Sequence, residues 1–167
     1  MKWITCLALA IATTVAVSAG GVHAETADEW IALGTRVHGA FGGFLPVGIR
    51  IGLDALDRLK VERRGVTITY RTGAKAPCPC IVDGVMLAAG ASPGQGTVFL
   101  APEQARAGEL AEIIVANRRT GEALKYTIAE AWLPVLFGWN KEPPIVRFDS
   151  AMKAEGLFTV ESVSVSK

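Results

Sequence analysis

An α+β domain, a mixed sheet with helices packed mainly on one face, is what this 167-residue sequence predicts. Three observations carry that expectation. Apolar residues recur at helical spacing over residues 26–37 and 46–59, β-branched alternation begins at Val66, and strand signals dominate the later part of the chain. Helices grouped ahead of strands, with no regular βαβ alternation, belong to the layered α+β architectures.

Each element follows from local chemistry. Thr26 with Glu29 has capping-box spacing, and Trp30, Leu33 and Val37 fall on one face of the helix after it. Gly39 and the Gly42-Gly43 pair break that helix in a loop that also holds Phe41 and Phe44. Pro46 suits the first turn of a second helix over residues 46–59, in which Ile49, Leu53 and Leu56 form the buried face and Arg50, Asp54, Asp57 and Arg58 a charged one. Gly48 and Gly52 are poor helix formers, and their spacing would let another backbone approach closely. Residues 66–70 read as a strand. Pro77 and Pro79 lead into a third helix over residues 80–89, closed by Gly90. Residues 92–96 form a turn, and strands come next at 97–100, 110–116 and 124–128, the last two joined as a hairpin through Arg118-Arg119-Thr120-Gly121. A short helix over 129–137 interrupted by Pro134, a turn at Pro143-Pro144, a helix over 151–155 and a final strand over 158–165 complete the reading.

Residues 1–24 have the order of a signal peptide: Lys2, an uncharged and mostly apolar run from Trp3 to Ala19, and Val22-His23-Ala24 as a small-residue cleavage site. A cleaved leader, a periplasmic product without a stable membrane anchor, and a single domain over residues 25–167 are expected. Cleavage removes Lys2 and no acid, so 16 Asp and Glu face as many Lys and Arg. Without a block of cations there is nothing to drive binding by counterion release, and no nucleic-acid partner is expected. After cleavage only Cys78 and Cys80 remain, too close together to staple distant elements. They can bridge each other, bind a metal or exchange disulfides.

His38-Gly39, then Gly48-Ile49-Arg50-Ile51-Gly52, then Cys80-Ile81-Val82-Asp83, then Gly90-Ala91-Ser92-Pro93-Gly94-Gln95-Gly96 occur in that order. Together with Asn117-Arg118-Arg119-Thr120-Gly121 they resemble the FmdE family, one of the component chains of formylmethanofuran dehydrogenase and its relatives, over roughly residues 28–130. The resemblance implies a fold like the second domain of glyceraldehyde-phosphate dehydrogenase, and a homodimer. It carries over His38, Cys80 and Asp83 as site residues. Ala40, Gly42 and Gly43 stand where the family has a histidine, a cysteine and a proline, while Ala91 and Gln95 replace a cysteine and a lysine. No second cysteine pair provides the zinc ribbon of some relatives, and Cys78 is an addition that could compensate for the lost thiol.

With Cys78 at the cap and Cys80 just inside the third helix, the helix dipole favours a thiolate, below the free value of about 8.5. His38, Cys80, Cys78 and, as ligand or orienting partner, Asp83 then offer N, S, S and O donors, a set suited to zinc or copper. The first expectation is an accessory domain binding a transition metal or a metal-dependent small ligand. A thiol–disulfide protein using Cys80 and Cys78, and a structural or partner-binding module with a decayed site, are the alternatives. The sequence does not decide whether the chain is an enzyme. Gly94-Gln95-Gly96 reads as turn chemistry, and Trp132, Phe137 and Trp139 as core or interface aromatics.

Overall fold

The computed structural model describes residues 25–164; the expected signal peptide, residues 1–24, lies outside them. α1 (Ala27–His38) starts with the anticipated reciprocal cap: the Glu29 N–H donates to Thr26 Oγ1 and the Thr26 N–H to Glu29 Oε2. Gly39, at φ +88°, takes the left-handed conformation that ends it. α2 (Leu45–Arg58) carries Pro46 in its first turn. β1 (Val66–Thr72), α3 (Cys80–Ala89) and β2 (Val98–Leu100) form a parallel crossover, in which Ile68 pairs with Val98. β3 (Glu109–Asn117) and β4 (Glu122–Ala129) form the hairpin, and α4 (Leu133–Trp139), α5 (Pro144–Lys153) and β5 (Thr159–Ser164) come after it. The strand order is β2-β1-β3-β4-β5, antiparallel except for β1–β2, which makes the sheet mixed.

Two apolar clusters set the layers. Val47, Ile51 and Ala55 of α2 and Val85 of α3 pack on Ile68, Tyr70, Ile113, Val115 and Tyr126 of the sheet. On the far side of α2, Leu45 and Ile49 meet Trp30 of α1, Phe41 and Ala88, with Phe148 and Met152 of α5 against them. Buried from two directions, α2 has no single apolar stripe, so Leu53 is exposed where a one-sided helix would bury it. Val37 is exposed as well. Arg50 is no solvent-facing charge either: it donates to the Ala151 and Ala154 carbonyls at 2.8 and 2.6 Å and lies over the Phe158 ring.

α2 and α3 cross at glycines. A Cβ on Gly48 would lie 2.8 Å from the Val85 nitrogen and 2.9 Å from Gly84 Cα, and one on Gly84 would lie 2.7 Å from the Ile49 nitrogen. Gly52 would meet the Ala88 methyl at 2.6 Å. The close approach expected of Gly48 and Gly52 is therefore present, with α3 as its partner. It fixes the start of α3 beside the loop that leaves α1.

The carboxy-terminal third departs most from expectation. Pro144 opens α5 rather than closing a turn, so the helix spans Pro144–Lys153 instead of residues 151–155. Pro134 likewise sits in the first turn of α4, after a single 3₁₀ turn at Glu130–Trp132. Proline is tolerated at such positions because the first-turn N–H groups have no helical partner.

Candidate functional site

His38 is the last residue of α1 and Asp83 lies one turn into α3. Their side chains meet at 2.7 Å, Nδ1 against Oδ2, both partly shielded at 26% and 31% exposure. An ionised carboxylate only accepts, so Nδ1 carries the proton and donates. In the neutral ring this leaves the Nε2 lone pair available, the arrangement in which a carboxylate orients a metal-binding imidazole. Asp83, left between ligand and orienting partner by the sequence, is hydrogen-bonded to His38.

Cys78 and Cys80 are joined by a disulfide, with Cα atoms 5.2 Å apart. The N-cap is Pro79 and Cys80 is the first residue of α3, so Cys78 lies one position outside the cap expected for it. His38, both cysteines, Phe44, Phe137 and Asn140 line one pocket of about 210 Å³. Ala40 and Gly42 line it too. The two positions at which the family resemblance implies a second histidine and a cysteine thus open onto the same cavity as the residues that remain.

The loop between α1 and α2 is held from the far end of the chain. The Gly43 N–H donates to Asn140 Oδ1 at 2.7 Å. Arg147 donates to the Phe41 carbonyl at 2.5 Å, to the Asn140 carbonyl at 2.9 Å and to the Glu142 carbonyl at 2.7 Å. Phe137 packs edge-on against Phe44, with centroids 5.7 Å apart. Expected in the core or an interface, it is 45% exposed and walls the pocket. Trp132 and Trp139 do pack against the core. Asn140 and Arg147 escape sequence reasoning, since no local pattern ties them to His38. The Gly42-Gly43 pair is the one hint: a Cβ at Gly43 would sit 3.2 Å from the Trp139 Cβ and overlap the Leu136 carbonyl.

An imidazole oriented by a carboxylate and a disulfide, in a pocket also lined by two phenyl rings, can hold a small ligand or exchange thiols. The described residues contain no group of three or more His, Cys, Asp or Glu side chains placed to take a metal ion. A larger cleft of about 540 Å³, between Arg58, the β3–β4 turn and β5, has no imidazole or thiol among the described residues that line it. Gly94-Gln95-Gly96 belongs to a 3₁₀ turn capped by Ser92 Oγ, as turn chemistry requires. Among the described residues no helix is long and apolar enough to cross a membrane.

The protein-family model described as FmdE, Molybdenum formylmethanofuran dehydrogenase operon, matches residues 37–153. The chain belongs to the FmdE family. The match begins at the end of α1, one residue before His38, and closes with α5, so it reaches further toward the carboxy terminus than the motifs alone suggest. Within this FmdE domain lie both halves of the pocket and the residues that clamp it. A comparison with curated proteins gives no match.

Proposed function

We propose that this FmdE domain is an exported accessory domain, one that binds a transition metal or a small metal-dependent ligand in the His38 pocket. His38 Nε2 and the Cys80 thiolate would be the protein's donors, with Cys78 beside them and Asp83 holding the imidazole. The observation that carries this reading is the 2.7 Å His38–Asp83 bond at the edge of a cavity that also holds Cys80. Imidazole and thiolate together suit zinc or copper, and two protein donors leave coordination positions for a ligand. Export is supported by the order of charges and apolar residues over 1–24 and by the residues just beyond them. Cleavage after Ala24 would leave the α1 capping box and the Glu25–Arg63 ion pair intact.

The disulfide favours a second reading, thiol–disulfide exchange. Attack on Cys78 Sγ would release the Cys80 sulfur at the first turn of α3, where a thiolate is stabilised. Metal analysis and thiol counting on mature protein taken from the periplasm separate the two. Stoichiometric metal, with the Cys80 thiol titrating only after chelation, supports the first reading. A Cys78–Cys80 disulfide that cycles with a dithiol, in protein that takes up no metal even when reduced, supports the second and overturns the first.

A further inference from the structure

We infer that Cys78 is a redox gate on the pocket: joined to Cys80 it closes the site to metal, and a dithiol reductant opens it. The inference rests on the reading of His38 and Cys80 as donors and adds a condition for their use. A disulfide sulfur is neutral and a weak donor, whereas a metal needs the thiolate. The bridge therefore removes the sulfur donors while leaving His38 and Asp83 in place.

Three observations make the bridge a gate instead of a staple. It links residues two apart, so it constrains only Pro79 between them and ties no distant elements together. The hold on the site comes from elsewhere, through the α2–α3 glycine contact and the Asn140 and Arg147 hydrogen bonds. Both cysteines line the cavity and are only partly buried, so a small reductant can reach them from the side on which a metal would enter. Opening the bond thus changes the donor chemistry of the pocket and leaves the fold standing.

The exchange balances. A dithiol thiolate attacks Cys78 Sγ, the Cys78–Cys80 bond breaks, and Cys80 leaves as a thiolate. The second thiol of the reductant then displaces Cys78, so the reductant ends as a disulfide and two electrons pass to the protein. Zinc captures the Cys80 thiolate and His38 Nε2, and any proton still on the Cys80 sulfur goes to solvent.

The test measures zinc binding by calorimetry to the mature chain in three forms: oxidised, reduced with the dithiol then removed anaerobically, and Cys78→Ser without reductant. Reduced protein should bind zinc more tightly than oxidised protein by at least about 100-fold, the upper end of what an outer-sphere partner alone contributes. Cys78→Ser should bind within about 10-fold of the reduced form, the lower end of that same range, and ignore oxidant. Equal zinc binding by oxidised and reduced wild type would overturn the gate and remove Cys80 from the donors, leaving His38 alone. Absence of zinc binding in both the reduced wild type and Cys78→Ser would overturn the donor assignment itself. Binding by the reduced wild type but not by a folded Cys78→Ser would make Cys78 a required ligand and remove its role as gate alone. The wild-type pair needs no variant to fold.

Discussion

The α2–α3 crossing and the His38 pocket adjoin each other but are built by opposite means. At the crossing, side chains are removed so that backbones touch: Gly48 and Gly84 stand against each other, and Gly52 against Ala88. At the pocket, small residues at positions 40 and 42 open space, and α1, α3 and α4 with their adjoining loops supply the walls. The first is a packing solution with no chemistry. The second sets an imidazole and a disulfide among apolar walls. The contrast implies that substitutions at the crossing should destroy the fold, whereas substitutions at the pocket should alter binding and leave the fold standing.

The largest expected effect is at the crossing. Gly84→Leu must displace the α2 backbone, which no rotamer change can avoid, so a loss beyond the usual overpacking range of about 1–3 kcal/mol is expected. Urea denaturation checks it, and a variant of unchanged stability would mean that the helices do not touch there. Next comes Cys80→Ser, which should abolish stoichiometric metal while thermal unfolding stays close to wild type. A large drop in stability instead would make the pocket part of the packing and break the comparison. On the proposed reading Asp83→Asn should weaken metal binding by roughly 10–100-fold, the carboxylate there only orienting the imidazole.

Smaller effects sharpen the contrast within the core. The Tyr126 hydroxyl donates to Asp54 Oδ2 at 2.7 Å, and Asp54 also accepts from Arg58 at 2.6 Å. Burial, with the bond to Asp54, pushes the Tyr126 pKa far above the ordinary phenol value. Tyr126→Phe should cost about 0.5–1.5 kcal/mol in equilibrium unfolding. The equally buried Tyr70 hydroxyl has no partner among the described residues, so Tyr70→Phe should be close to neutral or mildly stabilising by the same measurement. Another small effect is electrostatic. The hydrogen bonds from Arg63 hold the Glu25 carboxyl below its ordinary value of 4.5. A depressed folded pKa gives stability that is complete above pH 4.5 and is lost as pH falls through the lower, folded value. Glu25→Gln should remove that slope and cost about 0.2–1 kcal/mol at neutral pH, because the pair is partly solvated.

Local signals are legible wherever one interaction decides the structure. The Thr26–Glu29 box starts α1, α3 spans Cys80–Ala89 as its flanking Pro79 and Gly90 suggest, and Gly48 and Gly52 announce a close neighbour. Signals with two physical meanings are not. Proline stops a helix or starts one, which is why the expectation holds at Pro46 and fails at Pro144. Leu53 defies its expected place because periodicity assumes one buried face and α2 has two. For the site, the ordered motifs point to His38, Cys80 and Asp83, and all three lie close together. The Cys78–Cys80 spacing does not choose among bridge, metal and exchange, since each suits two nearby thiols. Asn140 and Arg147 are invisible in the sequence because their partners at Gly43 and Phe41 lie about a hundred residues earlier in the chain, and only the tertiary fold brings them together.

That distance has a consequence in time. His38 and the cysteines belong to the first half of the chain, yet the loop beside them is held by a guanidinium at position 147 and an amide at position 140. Contacts between segments so far apart form only after the intervening chain has been synthesised and collapsed. The cavity is therefore among the last features to be completed as the protein folds, and a chain halted before residue 140 would present its imidazole and thiols beside an unsupported loop. Stalling synthesis on either side of Arg147 and tracking protection of the Cys78 and Cys80 thiols from alkylation under reducing conditions would show the step: full reactivity before it, restricted access after it.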